Sequence, residues 1–394
     1  MATIVGSGAS TKRDAVAAGA QAARAALERL GSARPAFGFL FASPDHDLRL
    51  AMKGAREAAG GADIVGSSTA GELTEQGVQH GGVVAMLVAS DSTSHHLVMA
   101  EGLRGNCKKV ADDLCKQIPE AKRIAKTKDQ RQLTTVVLTD GLAGTGEELV
   151  NNLFERALSG CQIVGGAAGD EGRFKETTVG AGREATSNAA AALHVFGSRR
   201  WGIGVNHGLR STTKPMLVTR SSANVIYEID GEPAFEVYRR HALEHRVRLT
   251  PEGAGPYMIA HELGVHFFDK ISRARAPLSV GRDRSLHCAA GVPEGCLVSI
   301  LDGEPSSMVQ AAKSAAEEAR ETLEGGKVAG VLLFDCVCRG MILKDRFDEE
   351  IAAVRDVFGD VPIAGFLTYG EIARYAGRFD GWHNATAVVA AIPA

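Results

Sequence analysis

Apolar and polar positions alternate along this chain in blocks, and the blocks recur. From Pro35 to Ala89 an apolar run, AFGFLFAS, gives way to an amphipathic stretch, LRLAMKGAREAAGG. A short apolar DIVG follows, then a polar turn SSTAGEL and a second apolar run, VVAMLVAS. Thr134 to Gly197 repeats the order with TTVVLTD, EELVNNLFER, QIVG, GAAGDE and AAAALHVFG. Lys327 to Ala394 repeats it again with VAGVLLFDC, FDEEIAAVRDVFG, VPIAG, FLTYGEI and NATAVVAAI. Short apolar runs bounded by turn residues read as buried strands. Leu48, Met52 and Ala55, and likewise Leu149 and Leu153, share one stripe of a helix. Each block therefore predicts strand, helix, short strand, turn, strand, and a recurring block is an internal repeat.

Two more helices are predicted, over 11–30 and 306–323, each ending at glycine. The polar, basic stretch 118–132 reads as a solvated connection. Strands outnumber helices, and several face a neighbour across a short turn, as VVAMLVAS and HHLVMAEG do. The predicted class is α/β, with mixed or largely antiparallel sheets covered by helices, not one parallel doubly wound sheet. Near Ile226–Arg240 the composition shifts, with a turn at Asp230-Gly231 and a helix start at Pro233. That shift predicts two domains, 1–228 and 229–394.

The repeated turns carry the candidate chemistry. Each places an acid after a glycine: Gly71-Glu72, Gly169-Asp170 and Gly370-Glu371. A carboxylate at the end of a strand, beside backbone N–H groups that glycine leaves open, can hold the ammonium of a small polar ligand. The N–H groups with Ser67, Ser68, Thr69 or Thr368 can hold its carboxylate. Tyr369 lies in the same corner. The competing reading is that each acid caps backbone N–H groups of its own turn. His207 and Arg210, in the Gly-flanked turn GVNHGLR, form a second candidate pair.

Composition narrows the classes. Lys+Arg 44 against Asp+Glu 47 leaves a net charge of −3, which argues against a nucleic-acid binder. No apolar run is long enough for a membrane span, and the N-terminus lacks a secretory pattern. A cytoplasmic protein is expected. The seven cysteines are scattered and odd in number, which predicts free thiols, not a disulfide framework. Cys336 and Cys338 fall two apart on a predicted strand. His261-Glu262-Leu263-Gly264-Val265-His266 spaces its histidines by five, where a zinc-binding helix needs four. No metal site is expected there. A hydrolase using a Gly-flanked Ser or Cys336 lacks a convincing nucleophile–base pair, so the expectation is a binder and not an enzyme.

Taken together, VGSSTAGEL (65–73), LTDGLAGTGEE (138–148), VGGAAGDE (164–171), NVIYEIDGEPAFEVY (224–238), GVLLFDCVCR (330–339), IAGFLTYGEI (363–372) and FDGWHNATAVV (379–389) resemble the FIST family. These are bacterial signal-transduction sensors with paired FIST N and FIST C domains. The resemblance implies a sensor of a small ligand such as an amino acid. Such a sensor reports to a histidine kinase of a two-component system or to another signalling protein. With no kinase segment after Ala394, this chain is expected to act through a separate partner. The free-standing form is similar to a branch of haem-binding nitric-oxide sensors that regulate a histidine kinase. If haem binds, His207 is the first candidate ligand.

Overall fold

Three copies of one unit, and one segment inserted into the last, account for the chain. The structure, a computed structural model, describes residues 3–156, 161–267, 270–323, 326–375 and 378–394. A strand and a helix precede each predicted block: Ile4–Ser10 with Ala15–Leu30, Ser94–Glu101 with Leu103–Cys115, and Gly202–Asn206 with Pro305–Thr322. The first of these helices begins later than predicted because Asp14, not Ser10 or Thr11, is its cap, accepting the Ala17 N–H at 2.7 Å. The stretch read as a connection forms the helix Ile118–Thr127, which buries only Ile118 and Ala125.

The short predicted turn holds a hairpin in every unit. The three hairpins are Glu72–Thr74 with Gly77–Gln79, Val179–Ala181 with Glu184–Thr186, and Glu371–Tyr375 with Arg378–His383. Each one pairs with the edge of another unit's sheet. The first unit lends its hairpin to the third, the third to the second, and the second to the first. The sheets of the three units then share one order: first strand, last strand, second strand, third strand, borrowed hairpin. Within these sheets the second and third strands of a unit pair in parallel, across their helical crossover, and the remaining pairs are antiparallel. The α/β class with mixed, helix-covered sheets is therefore what the chain adopts.

Alternate residues of the three sheets point inward to one core. Phe37, Phe39 and Phe41 of the first unit meet Val136 and Leu138 of the second and Phe334 and Phe366 of the third. The Phe41 ring lies 4.8 Å from Phe366 and 6.4 Å from Phe334. Helices bury the outer faces, largely through alanine: Ala18, Ala22 and Ala26 in one, Ala312, Ala315 and Ala319 in another. The glycines of QIVG and VPIAG have one cause. A Cβ on Gly165 or Gly365 would sit 1.9 or 1.8 Å from the carbonyl oxygen of Val137 or Leu333 on the neighbouring strand.

Residues 210–302 interrupt the third unit between its first strand and its helix. They form a further sheet of nine strands with helices Ala234–Glu244 and Gly255–Ala260, around a core that includes Val218, Phe235, Tyr238 and Ile300. The helix begins where Pro233 predicts. The expected boundary after residue 228 falls inside the strand Val225–Ile229 of this sheet. Buried Arg275 fastens the insertion to the units, donating to Glu147 of the second at 2.7 Å and to the Trp382 carbonyl of the third at 3.3 Å. The strand Val328–Cys336 ends at Cys336 and the helix Val337–Leu343 follows, so Cys336 and Cys338 do not share a strand face.

Candidate functional site

The turns after the third strands do come together, and the exchange of hairpins is the reason. Ala70 N–H donates to the Leu367 carbonyl at 2.9 Å and Leu367 N–H to the Gly71 carbonyl at 2.8 Å. Ala167 N–H donates to the Gly370 carbonyl at 2.7 Å, and Gly169 N–H to the Ser68 carbonyl at 3.1 Å. Three turns from three units are thus laced backbone to backbone. Gly169 has to be glycine here, since a Cβ would lie 2.7 Å from Ala70 N. The Ser68 hydroxyl donates to the Gly169 carbonyl at 2.8 Å and accepts from Thr178 N–H at 3.0 Å.

Glu72 and Glu371 are equivalent and fully buried. In each copy a threonine three residues earlier, Thr69 or Thr368, donates its hydroxyl to one carboxylate oxygen. The other oxygen accepts a backbone N–H from just beyond the hairpin: Gly82 at 3.0 Å, or Thr386 at 3.1 Å with its hydroxyl at 2.7 Å. Burial pushes the Glu72 carboxyl up to about 8 and the Glu371 carboxyl to about 7. Both side chains therefore staple their own hairpins. The expectation that these carboxylates face a ligand is corrected by the hydrogen bonds that occupy them.

The second unit departs from the pattern. Glu72 sits opposite Phe366 and Glu371 opposite Gly166, but the residue in that register opposite Ser67 is Val179. Asp170 is consequently not the third counterpart. It lies at the start of a longer loop and accepts the N–H groups of Phe174, Lys175 and Glu176 at 2.9, 2.7 and 3.1 Å, and the Tyr369 hydroxyl at 2.5 Å. Burial opposes its charge, yet the Tyr369 hydroxyl and the three N–H groups together hold it below the usual carboxylate range.

That loop is strained and clamped to both other units. Glu171 and Phe174 occupy left-handed backbone, with φ of 54° and 50°, a conformation uncommon for non-glycine residues and concentrated at functional sites. The Glu171 carboxylate accepts from the Ser43 hydroxyl at 2.9 Å and from Gly81 N–H at 3.2 Å. Gly172 N–H donates to the Tyr369 hydroxyl oxygen at 2.8 Å, and the Phe174 ring, half exposed, stacks on Tyr369 at 5.0 Å.

Beside the laced turns lies a hollow of about 710 Å³ whose walls come from all three units. Ala70, Val78 and His80 belong to the first, Glu171 and Gly172 to the second. Val337, Met341, Lys344, Asp345, Asp348 and Leu367 belong to the third. The lining mixes apolar side chains with both signs of charge. Lys344 also has a positive φ, of 50°. None of the predicted residues is among those lining the hollow; Ser68, Thr69, Gly71, Gly169, Asp170, Tyr369 and Gly370 belong to the adjoining turns. Glu171, His80 and Lys344 went unnoticed in the sequence. Only Glu171 left a signal, as the second acid of Gly169-Asp170-Glu171.

His207 and Arg210 lie apart from these lining residues. The His207 ring accepts Leu209 N–H at 2.9 Å through Nδ1, and its carbonyl accepts from Arg339 at 2.8 Å. Burial and then the Arg339 guanidinium push its pKa down to about 4. A ring committed to its own turn beside a buried cation is a poor fit for the iron of a haem, which adds positive charge at the same place. Arg210 is exposed on the edge strand Arg210–Ser211. Arg339 is wholly buried between Asp335 at 3.1 Å and Glu350 at 2.8 Å.

Comparison with known proteins completes the description. Residues 36–232 match the FIST N domain and residues 234–374 the FIST C domain. An uncharacterised protein of Mycobacterium tuberculosis is 25% identical over 415 residues, covering 98% of each chain. An uncharacterised protein of Mycobacterium bovis is 25% identical over 257 residues, 59% of this chain, and the chain spans about three fifths (61%) of that relative's length. Among solved structures, T. maritima PurL complexed with ADP gives 11% identity and a TM-score of 0.24, over 99% of this chain and 71% of that one.

Proposed function

The chain belongs to the FIST family, and from that premise we propose that the hollow shared by its three units is the site at which it senses a small polar ligand. FIST domains are generally associated with sensing small ligands in signal transduction. The observation that carries the assignment of the site is that one cavity takes walls from every unit, at the place where their turns are laced together. A ligand changes a protein's state only if it binds one arrangement better than another. A molecule touching three units at once gains or loses contacts whenever they shift.

The lining suits a zwitterion such as an amino acid. Asp345 and Asp348 can receive an ammonium, Lys344 and His80 a carboxylate, and Val78, Val337 and Leu367 an apolar side chain. In this reading the ligand state passes to a separate signalling protein, a histidine kinase first among the candidates. The reading as a binder and not a hydrolase rests on the candidate nucleophile. The neighbouring Cys338 thiol and burial raise the Cys336 thiol well above its ordinary value, which leaves little thiolate for attack.

Thermal melting of the full chain with a panel of amino acids and small carboxylic acids tests this. A matching ligand at 100 times its dissociation constant stabilises by about 2.7 kcal/mol. Lys344→Asn keeps a residue that tolerates positive φ in turns and removes the cation, so the shift should fall while the free protein melts as before. A panel without any shift, or a shift unaffected by Lys344→Asn, contradicts the assignment.

A further inference from the structure

A second hollow, of about 510 Å³, lies between the helix Leu48–Ala58 of the first unit and the tip of the hairpin lent by the second. Its lining is strongly cationic. Arg49, Lys53 and Arg56 come from the helix and Arg183 from the hairpin, against one acid, Glu57. The chain as a whole is slightly acidic, at −3, so this concentration does not reflect a generally basic surface.

The fold builds the cluster from both sides. Spacings of four and three put Arg49, Lys53 and Arg56 on one helical face, where like charges repel. Gly180 lets the hairpin lie directly on that helix: a Cβ there would meet the Met52 sulfur at 2.6 Å. Gly182, at φ of 63°, then makes the turn that presents Arg183. Arg56 is anchored, donating to the Ala62 and Gly61 carbonyls at 3.1 and 3.2 Å with Asp63 at 3.9 Å. Arg49, Lys53 and Arg183 have no ion-pair partner among the described residues.

We propose that this groove binds a small ligand bearing a polyphosphate group. Guanidinium forks match phosphate oxygens two at a time. The volume falls within the range of about 300–1,000 Å³ usual for small-molecule sites. Leu50 adds an apolar wall. A nucleoside triphosphate and free polyphosphate share this chemistry. A ligand held there ties the borrowed hairpin to its host helix, which makes the groove distinct from the hollow between the three units.

Titration calorimetry on the full chain, with tripolyphosphate, ATP, GTP and citrate as probes, tests the proposal. The expected result is saturable one-to-one binding of tripolyphosphate that weakens with added salt. Arg183→Gln and Arg49→Gln should each weaken it at least about ten-fold, with melting of the free protein unchanged, since both side chains are exposed. Tighter binding of ATP or GTP than of tripolyphosphate would assign a nucleotide, and equal affinity a polyphosphate group alone. Non-saturable binding, unchanged affinity in both variants, or citrate binding as tightly as tripolyphosphate would overturn it.

Discussion

Glu72 and Glu371 show how one short string yields one piece of chemistry twice. In Thr-x-Gly-Glu the threonine hydroxyl and the glutamate meet over a tight turn, and the free oxygen closes the hairpin. The unfolded chain ionises these carboxyls near 4.5, the folded one near 8 and 7. Between those values the folded state holds protons that the unfolded state has released. Their contribution to stability is therefore complete below about pH 4.5 and is lost as pH rises through 7 to 8. The double variant Glu72→Gln, Glu371→Gln should lose less stability than the wild type between pH 5 and pH 9, measured by denaturant unfolding at each pH. An equal loss in both proteins contradicts the assignment. Arg339 is the opposite case, a buried cation on which two buried acids depend. Arg339→Leu should destabilise by about 3–5 kcal/mol, because it removes the donor that buried Glu350 accepts from at 2.8 and 3.0 Å; a cost below about 1 kcal/mol would contradict that dependence. The sequence displayed the Gly–acid pairs but not which N–H and O–H donors each acid would accept from. Asp170 looked like a third copy by its Gly–acid pair, although the preceding glycine, Gly165, stands four residues before Gly169 where Gly66 and Gly365 stand five before theirs, and Ala167 replaces the threonine.

At the scale of elements, the strand–helix–strand order was legible because periodicity is local: Leu48, Met52 and Ala55 announce a helix wherever they fold. The hairpins were not. Strands of three residues, Glu72–Thr74 and Gly77–Gln79, are too short to show alternation. The choice of partner sheet is a contact across hundreds of residues, as in Gly365 opposite Leu73. The insertion is invisible for a related reason, since a nine-stranded sheet with its own core reads like any other domain. Glycine ends each of the strings DIVG, QIVG and VPIAG, and in QIVG and VPIAG its cause is steric. Gly365→Ala drives a Cβ into the Leu333 carbonyl and forces the two parallel strands apart. A loss of about 3 kcal/mol is expected, at the upper end for overpacking. Retention of wild-type stability in urea would mean that the strands are less closely paired than described.

For the whole molecule, the closed ring of exchanged hairpins makes the units interdependent. Each unit's sheet is completed by another unit's hairpin, and all three share the core around Phe41, Phe334 and Phe366. Calorimetry should show the three units melting in one transition whose van't Hoff and calorimetric enthalpies agree; separate transitions for the first and third units would contradict the exchange. The same interdependence lets one small molecule address the entire assembly. Hydrogen exchange of the full chain, with and without the amino or carboxylic acid that shifts melting most, tests this account most directly. Protection should rise together in 69–80, 168–176 and 337–348, one segment from each unit. Protection confined to a single unit, or falling elsewhere in the chain, would contradict a shared site.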